Sequence, residues 1–263
     1  MTRDPDSLST RLPAREPQDV TPEMVRASSA ELVALVDARL PERFWREPLW
    51  RLASTALVAR MAGLVDTMAL LADKRRPSDV LVLLRVLYEH VVTFAWLAID
   101  PQVRVEKWSD HAAYWQRKTH NDALTWGHSL LTDAELAEAD NAQPLPSLEK
   151  RAAEVDDYWE PRIPGFRPRQ DFLSIRGLYV GIYRMASRPT HAQAESVGGS
   201  VDASRYPRVV KREAADDMVW SALAVPLFSM ALMVSHRRLG WPDFNAVRAI
   251  NDAFITDPDA ELT

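Results

Sequence analysis

Apolar side chains recur every three or four positions along most of the chain between residues 21 and 255, which is the spacing of one helix face. Signals for helix starts accompany this pattern. Thr21 can cap a helix whose first residue is Pro22, where the missing N–H of proline costs nothing. Thr132-Asp-Ala-Glu135 is a capping box, in which the threonine hydroxyl and the glutamate each satisfy a free amide of the other residue. The chain is therefore predicted to be helical.

The predicted helices cover most of the sequence, and no internal repeat is visible. Glycine is scarce, with 8 residues, and alternating β-branched runs are almost absent, so no strand is predicted. We expect an all-α, single-domain bundle of about seven to nine helices. Their predicted positions are about 22–40, 48–75, 78–98, 101–126, 147–159, 171–187 and 211–238, with short helices starting near 133 and 243. The helix at 48–75 is predicted to turn these side chains inward: Leu49, Leu52, Ala56, Ala59, Gly63 and Met68.

Both ends of the chain differ from the middle. Residues 1–20 carry three prolines among charged residues, and residues 256–263 are acidic. Such segments cannot bury enough apolar surface to fold, so we expect a disordered tail at 1–20, a helical domain at 21–255 and an acidic tail at 256–263. The first segment also lacks the apolar run of a secretory signal.

Cysteine is absent from all 263 residues. Disulfides, thiolate metal sites, iron–sulfur clusters and a cysteine nucleophile are therefore excluded. The absence suits a reducing compartment, and we expect a cytoplasmic protein. The formal net charge of −5 argues against a polycation adapted as a whole to nucleic acid.

Two stretches are apolar enough to require a test for membrane spans. Val80–Ile99 is interrupted by Arg85, Glu89 and His90, while Met218–Val234 has 17 uncharged residues, at the lower limit for a span. A mean hydropathy of −0.24 and basic residues on both sides of the second stretch favour the buried centre of a bundle. We expect no association with a membrane.

Charge is unevenly distributed along the chain. Residues 132–160 hold nine acids and two bases, whereas residues 162–212 hold ten bases and three acids. The basic segment can form a face that binds RNA or another phosphate-bearing ligand. Alternatively, its arginines pair with the neighbouring acidic segment, an interpretation that the negative net charge favours.

The first candidate for chemistry is the pair Arg85 and Glu89. Residues four apart lie on one helix face, so the guanidinium and the carboxylate can bond directly. An unpaired charge in such an apolar helix would lower the stability of the fold by several kcal/mol, so both groups should be paired. The pair either fixes the packing of this helix or lines a binding cavity.

The second candidate is a polar stripe near residue 183. On a regular α-helix Arg176, Val180, Tyr183 and Ser187 fall within about 60° of one another, and His191 can approach them from the turn after Pro189. Histidine titrates near neutrality and arginine keeps its charge, so the set suits proton transfer or anion binding. The alternative is a hydrogen-bonded polar seam that ends the helix.

A third group consists of Trp108, His111 and Trp115, which share one helix stripe and are most simply a packing unit. The spacing of the six histidines does not support a metal site. None has an acid three residues before it, as helical di-iron proteins require, and no His-x-x-x-His pair occurs. We expect no metal and no other cofactor.

Two motifs carry a resemblance to a known family. Leu84-Arg-Val-Leu-Tyr-Glu89, taken with Tyr183-Arg-Met-Ala-Ser187-Arg-Pro-Thr-His191, is similar to an uncharacterised bacterial family catalogued as domain of unknown function 5677. The match would cover roughly residues 45–240. The family brings no established activity. The resemblance implies that the residues of both motifs converge on one site, namely Arg85, Glu89, Tyr183, Ser187 and His191.

Arg184 and His191, with six residues between them, also resemble the Arg-x(4–6)-His motif of helical HEPN ribonucleases. In those enzymes, which form the site at a dimer interface, the histidine moves protons for attack by the ribose 2′-hydroxyl. The arginine stabilises the phosphorane, and no metal is needed. This resemblance implies catalytic roles for His191 and Arg184. Taken with the polar stripe and the Arg85–Glu89 pair, it leads us to expect that Ser187 and Tyr183 are also catalytic and that Arg85, Glu89, Arg176 and Arg188 bind the substrate.

The function expected from these observations is metal-independent RNA cleavage, as in a toxin or defence effector. Two alternatives remain. The bundle can bind or sense a small molecule without turnover, or it can be an interaction protein that forms a homodimer through its tryptophan-rich helices.

Overall fold

A computed structural model describes the chain in eight pieces, which are residues 19–40, 47–74, 76–166, 174–184, 186, 201–202, 208–209 and 219–256. Almost all of the two predicted tails lies outside the described residues. Val20, at the end of the predicted N-terminal tail, is described and is buried in the core.

The described residues confirm the all-α class and form nine α-helices, which are α1 (Pro22–Asp37), α2 (Leu49–Asp73), α3 (Pro77–Leu97), α4 (Pro101–Leu124), α5 (Asp133–Ala139), α6 (Leu148–Trp159), α7 (Ile175–Leu178), α8 (Val219–Leu239) and α9 (Phe244–Ile255). A π-helix, Tyr179–Arg184, continues directly from α7. Two strands of two residues each, β1 (Val201–Asp202) and β2 (Arg208–Val209), pair antiparallel between the predicted helices at 171–187 and 211–238, where no strand was predicted.

Capping side chains begin several of the helices where the sequence predicts them. Thr21 accepts the amide of Met24 over 3.3 Å at the start of α1. Both halves of the capping box at Thr132 and Glu135 are formed, and Asp243 accepts two amides of α9. Each cap satisfies N–H groups that have no partner within their own helix, which is why these boundaries could be predicted.

The core lies around α3. This helix packs against α2 and α8 on one side and against α6 on the other. Tyr88 and Phe94 of α3 and Phe228 of α8 are among the largest side chains that are fully buried. α3 therefore holds its Arg85-x-x-x-Glu89 motif in a fixed position against α6.

The inward face predicted for the second helix is wrong. Leu49 is 55% exposed and Leu52 is 39% exposed, while Leu57, Met61 and Leu64 are buried. Of the six predicted positions only Met68 is in the core. Both faces of α2 carry apolar residues, so periodicity alone did not distinguish the face that α1 and α3 cover.

Three helices of the described chain are long and apolar enough to cross a membrane by length and composition: α2, the Ser78–Leu97 part of α3, and α8. The apolar stretches Val80–Ile99 and Met218–Val234 of the sequence had indicated the last two helices but not α2. In each helix we consider the 18-residue stretch with the highest hydropathy as its apolar window. The buried share of this window is 56% in α2, 61% in Ser78–Leu97 and 72% in α8. More than half of each apolar window is thus covered by the protein itself.

Candidate functional site

Arg85 and Glu89 lie one turn apart on α3 and form the predicted ion pair. Arg85 Nε is 3.5 Å from Glu89 Oε1. The two side chains are 21% and 41% exposed, so the pair is less buried than the apolar helix suggests. Its position at the edge of the core leaves the charges within reach of solvent.

Arg85 also contacts Tyr183, which comes from the second motif. Arg85 Nη2 donates a hydrogen bond of 3.2 Å to Tyr183 Oη, and the guanidinium carbon lies 4.4 Å from the centre of the phenol ring. Tyr179 stacks on Tyr183 with 5.1 Å between ring centres. The two motifs therefore meet in the fold.

Tyr179 and Tyr183 belong to the π-helix, and this changes the predicted polar stripe. The stripe assumed regular α-helical rotation through residues 176–187, but hydrogen bonds of the i→i+5 type shift residues 179–184 relative to α7. Val180 is 55% exposed, and Tyr183 turns to α3. π-Helical turns occur frequently at functional sites, which supports this segment as part of one.

The start of α7 is fixed by two side chains of neighbouring helices. The carboxylate of Asp156 on α6 accepts the amides of Ile175 and Arg176, both over 2.9 Å. The hydroxyl of Tyr88 on α3 donates to the carbonyl of Ile175 over 2.6 Å. Burial, reinforced by the Asp156 charge, raises the pKa of Tyr88, so its hydroxyl stays protonated as a donor.

Arg151 on α6 supplies a second guanidinium close to this site. Its Nη1 donates to Thr93 Oγ1 over 2.7 Å, and its Nε donates to the carbonyl of Pro146 over 3.1 Å. Burial lowers the pKa of Arg151, and the Glu89 carboxylate opposes this shift. An arginine remains charged even so. We refer to Arg85, Glu89, Arg151, Tyr179 and Tyr183 as the Arg85 cluster.

Sequence analysis did not find Arg151, Tyr179 or Tyr88. A signal for Arg151 was present, because it lies four residues before Val155 and eight before Trp159, on the buried face of α6. A charged residue in register with core positions must have polar partners. Tyr88 gave a similar signal, since a buried tyrosine hydroxyl needs an acceptor.

The remaining predicted site residues are placed differently. Arg176 is exposed, and its Nη2 lies 3.8 Å from Glu149 Oε1 on α6. Only the backbone of Arg184 is described, and Ser187, Arg188 and His191 lie outside the described residues. The predicted convergence of both motifs is thus observed for Arg85, Glu89 and Tyr183.

The three residues Trp108, His111 and Trp115 do not form one buried unit, because Trp108 packs against the core whereas Trp115 is about half exposed and contacts His111. Trp115 Nε1 is 2.9 Å from His111 Nε2, and the amide of Leu145 is 3.1 Å from His111 Nδ1. A neutral imidazole accepts at one nitrogen only, so one of these hydrogen bonds forms at a time. Burial, followed by the Arg151 charge, lowers the pKa of His111, which favours this neutral, accepting ring.

Within the described part of the chain, no three acidic or histidine side chains lie close enough together to hold a metal ion. The described chain does contain cavities. One of about 480 Å³ lies beside α4 and is lined by Trp96, Arg104, Lys107, Leu145 and Glu154, among others. Another, of about 530 Å³, lies where α8 ends and α9 begins.

The fold and the Arg85 cluster define an all-α protein whose third helix presents an Arg-x-x-x-Glu motif to a tyrosine about a hundred residues later. The sequence model of the family of unknown function DUF5677 matches residues 51–205, more than half of the chain, and the chain belongs to this family. The resemblance seen in the two motifs is thereby confirmed, over a shorter range than 45–240. No curated protein and no solved structure matches the chain.

Proposed function

We propose that this protein binds a phosphate-bearing substrate beside the Arg85 cluster and cleaves RNA there without a metal ion. The proposal depends on one observation, the contact of Arg85 with Tyr183. Tyr183 directly precedes Arg184, the first residue of the Arg-x₆-His motif. The contact therefore brings the backbone at the start of that motif to α3.

The charge of the Arg85 cluster supports an anionic ligand. Among the five residues of the Arg85 cluster, Arg85 and Arg151 are positive and Glu89 is negative, so these residues together carry a positive formal charge beside the carboxylate of Asp156. Guanidinium groups match the geometry of phosphate oxygens, and they interact more strongly with an anion where water is partly excluded. The half-buried position of both arginines provides such surroundings.

The proposed reaction requires one base, one acid and one anion-stabilising group. His191 takes the proton from the ribose 2′-hydroxyl while O2′ attacks phosphorus and the bond to O5′ breaks. The protonated His191 then acts as the acid and gives this proton to the leaving 5′-oxygen, and a 2′,3′-cyclic phosphate remains on the other fragment. Arg184 stabilises the charge on the phosphorane oxygens, and Arg188 and Ser187 add contacts to the phosphate.

Incubation of the purified protein with RNA in EDTA tests this proposal. His191→Ala should abolish cleavage, whereas His128→Ala should leave it unchanged, because His128 is an exposed histidine in the turn after α4. At each cut, the upstream fragment should end in a 2′,3′-cyclic phosphate and the downstream fragment should begin with a 5′-hydroxyl. Equal cleavage by the wild type and His191→Ala, or no cleavage by either, would overturn the proposal.

The cavity beside α4 favours a second candidate, a bundle that binds a small molecule without turnover. Its volume of about 480 Å³ is in the range of small-molecule sites. Trp96 Nε1 and Arg104 Nη2 both contact Glu154 over 2.9 Å. These contacts hold one wall of the cavity in place before a ligand binds. Soaking crystals with a mixed metabolite library should place a ligand there; an empty cavity would remove this candidate.

A homodimer is the third candidate, and exposed apolar side chains near the end of α4 favour it. Trp126 is 81% exposed, and Trp115, Leu124 and Leu130 are each about half exposed. Large exposed aromatic residues are enriched at interfaces between proteins. Light scattering after size exclusion should give twice the mass of one chain, and Trp126→Ala should shift the protein to monomers. A monomeric wild type would refute the dimer.

We also propose that the protein is cytoplasmic and not inserted in a membrane. The support is that more than half of each apolar helix window is buried against the rest of the fold. After cell lysis without detergent, the protein should remain in the supernatant at high centrifugal force. Recovery only in the membrane fraction, after extraction with detergent, would contradict this localisation.

A further inference from the structure

The cavity between α8 and α9 combines features that suit a nucleotide. Its volume is about 530 Å³, and it is lined by Arg39 from the turn after α1, by His236 and Arg237 of α8, and by Trp241, Asp243, Phe244 and Asn245. It is distinct from the Arg85 cluster, because the two share no residue. The cavity is an open cleft, and a cleft of this volume has room for a ligand as large as a mononucleotide.

Two guanidiniums supply positive charge to this cavity. Neither Arg39 nor Arg237 forms an ion pair with a carboxylate among the described residues. The guanidinium carbon of Arg237 lies 5.9 Å from the centre of the Phe244 ring. Two exposed arginines that share a cavity can bind one phosphate from two sides, and each can donate two hydrogen bonds.

The single carboxylate of the cavity is already engaged. Asp243 Oδ1 accepts the amides of Asn245 and Ala246 over 2.8 and 3.3 Å at the start of α9. These contacts, together with the positive helix end, offset its charge. The cavity therefore keeps a net positive charge, which matches a phosphate monoester.

The other lining residues suit a base and a ribose. Trp241 and Phe244 bring two aromatic rings to the cavity, and bases stack on such rings with little dependence on their sequence. The side-chain amide of Asn245 can both donate to and accept from a base edge. His236 Nδ1 donates to the carbonyl of Pro242 over 2.8 Å, which leaves Nε2 as an acceptor for a hydroxyl.

We propose that this cavity binds a nucleotide, with the phosphate between Arg39 and Arg237 and the base against Trp241. The nucleotide is either free or part of an RNA chain, and the chemistry of recognition is the same for both. The inference does not depend on RNA cleavage at the Arg85 cluster, since it concerns binding at a separate cavity.

Calorimetric titration of the full-length protein tests the proposal with four probes: adenosine 5′-monophosphate, adenosine, inorganic phosphate and a five-nucleotide RNA. The monophosphate or the RNA should bind, and both adenosine and phosphate should bind at least about tenfold more weakly. If the RNA binds more tightly than the monophosphate, the natural ligand is a nucleotide within an RNA chain. If the RNA binds equally or more weakly, the natural ligand is the free nucleotide. If inorganic phosphate bound as tightly as the monophosphate and the RNA, the nucleotide assignment would be overturned.

Variants locate the binding. Arg39→Ala and Arg237→Ala should each weaken binding of the preferred probe about tenfold or more, because each removes a charged contact to phosphate. Arg60→Ala is the matched control, since Arg60 is an exposed arginine of α2 outside this cavity, and it should leave affinity unchanged. Circular dichroism checks that each variant is folded. Wild-type affinity in both cavity variants, or no binding by the wild type, would overturn the proposal.

Discussion

The guanidinium of Arg85 donates to the hydroxyl of Tyr183 over 3.2 Å and lies over its ring, although the two residues are 98 positions apart. This contact joins the central helix α3 to the π-helix, and it links the two motifs that mark the family. A contact between an arginine and an aromatic ring at a partly exposed site contributes about 0.5–1 kcal/mol. A contribution of this size to the free energy of unfolding is large enough to measure.

A double-mutant cycle of Arg85→Ala and Tyr183→Leu should give a coupling free energy of about 1 kcal/mol from urea unfolding. The cycle of Arg85→Ala with Glu89→Ala is the comparison, and it should give about 0.5 kcal/mol or less, as for other ion pairs four residues apart on exposed helix faces. A coupling near zero for Arg85 and Tyr183 would contradict the arrangement of the cluster.

Tyr88→Phe should lower the free energy of unfolding by about 1–3 kcal/mol. The variant removes the donor to the Ile175 carbonyl and leaves that buried acceptor without this partner. Hydrogen exchange should also become faster in α7 and the π-helix, because Tyr88 fixes the start of this segment. Tyr114→Phe is the control, since Tyr114 lies on the more exposed α4. Equal stability of both variants would contradict the role of Tyr88.

The sequence predicted the helical class and several helix starts because these depend on local interactions. The caps at Thr21, Thr132 and Asp243 satisfy amides within three residues of themselves, so their signature is readable without the fold. The buried face of α2 depends on which neighbours cover it, and neighbours are not visible in one segment. The same limit explains why the inward face predicted for α2 was wrong.

The candidate site was predicted in part for a similar reason. The Arg85–Glu89 pair follows from helical spacing, and its contact with Tyr183 follows from the resemblance to the family. Arg151 comes from a third segment, where its register with buried positions of α6 signals only that it needs polar partners, so the packing of α6 on α3 is needed to show which partners these are. The π-helix was missed because no simple residue pattern distinguishes it from an α-helix.

The pKa of His111 predicts a dependence of stability on pH. Burial and the Arg151 charge lower this pKa below its usual 6.5, so the folded protein disfavours protonation. Below about pH 6.5 the unfolded chain binds more protons at this residue than the folded chain, and stability decreases as pH falls. Above about pH 7 the residue is neutral in both states and contributes no slope.

Urea unfolding between pH 7 and pH 5 should therefore show a smaller loss of stability in His111→Gln than in the wild type. Glutamine has an amide that can contact Trp115 or Leu145 without titrating. His128→Gln, which changes an exposed histidine, should keep the wild-type slope. A slope unchanged by His111→Gln would show that this residue does not titrate differently on folding.

Binding of RNA by the basic segment 162–212 should depend steeply on salt concentration. Arg176 pairs with Glu149 over 3.8 Å, and both side chains are largely exposed. Such exposed pairs contribute little free energy, so a polyanion can compete with the carboxylate. If the segment makes about four phosphate contacts, affinity for single-stranded RNA should fall with a log–log slope of about −3 against salt concentration, because neutralised phosphates release counterions.

Glu149→Gln frees Arg176, so it should tighten binding and make the slope more negative by about 0.7, the value for one added phosphate contact. Glu31→Gln makes the same charge change on an exposed position of α1 and should leave the slope unchanged. Fluorescence anisotropy of labelled RNA at several salt concentrations measures all three proteins. Negligible binding at low salt, even for Glu149→Gln, would show that the arginines of this segment do not form a phosphate-binding face.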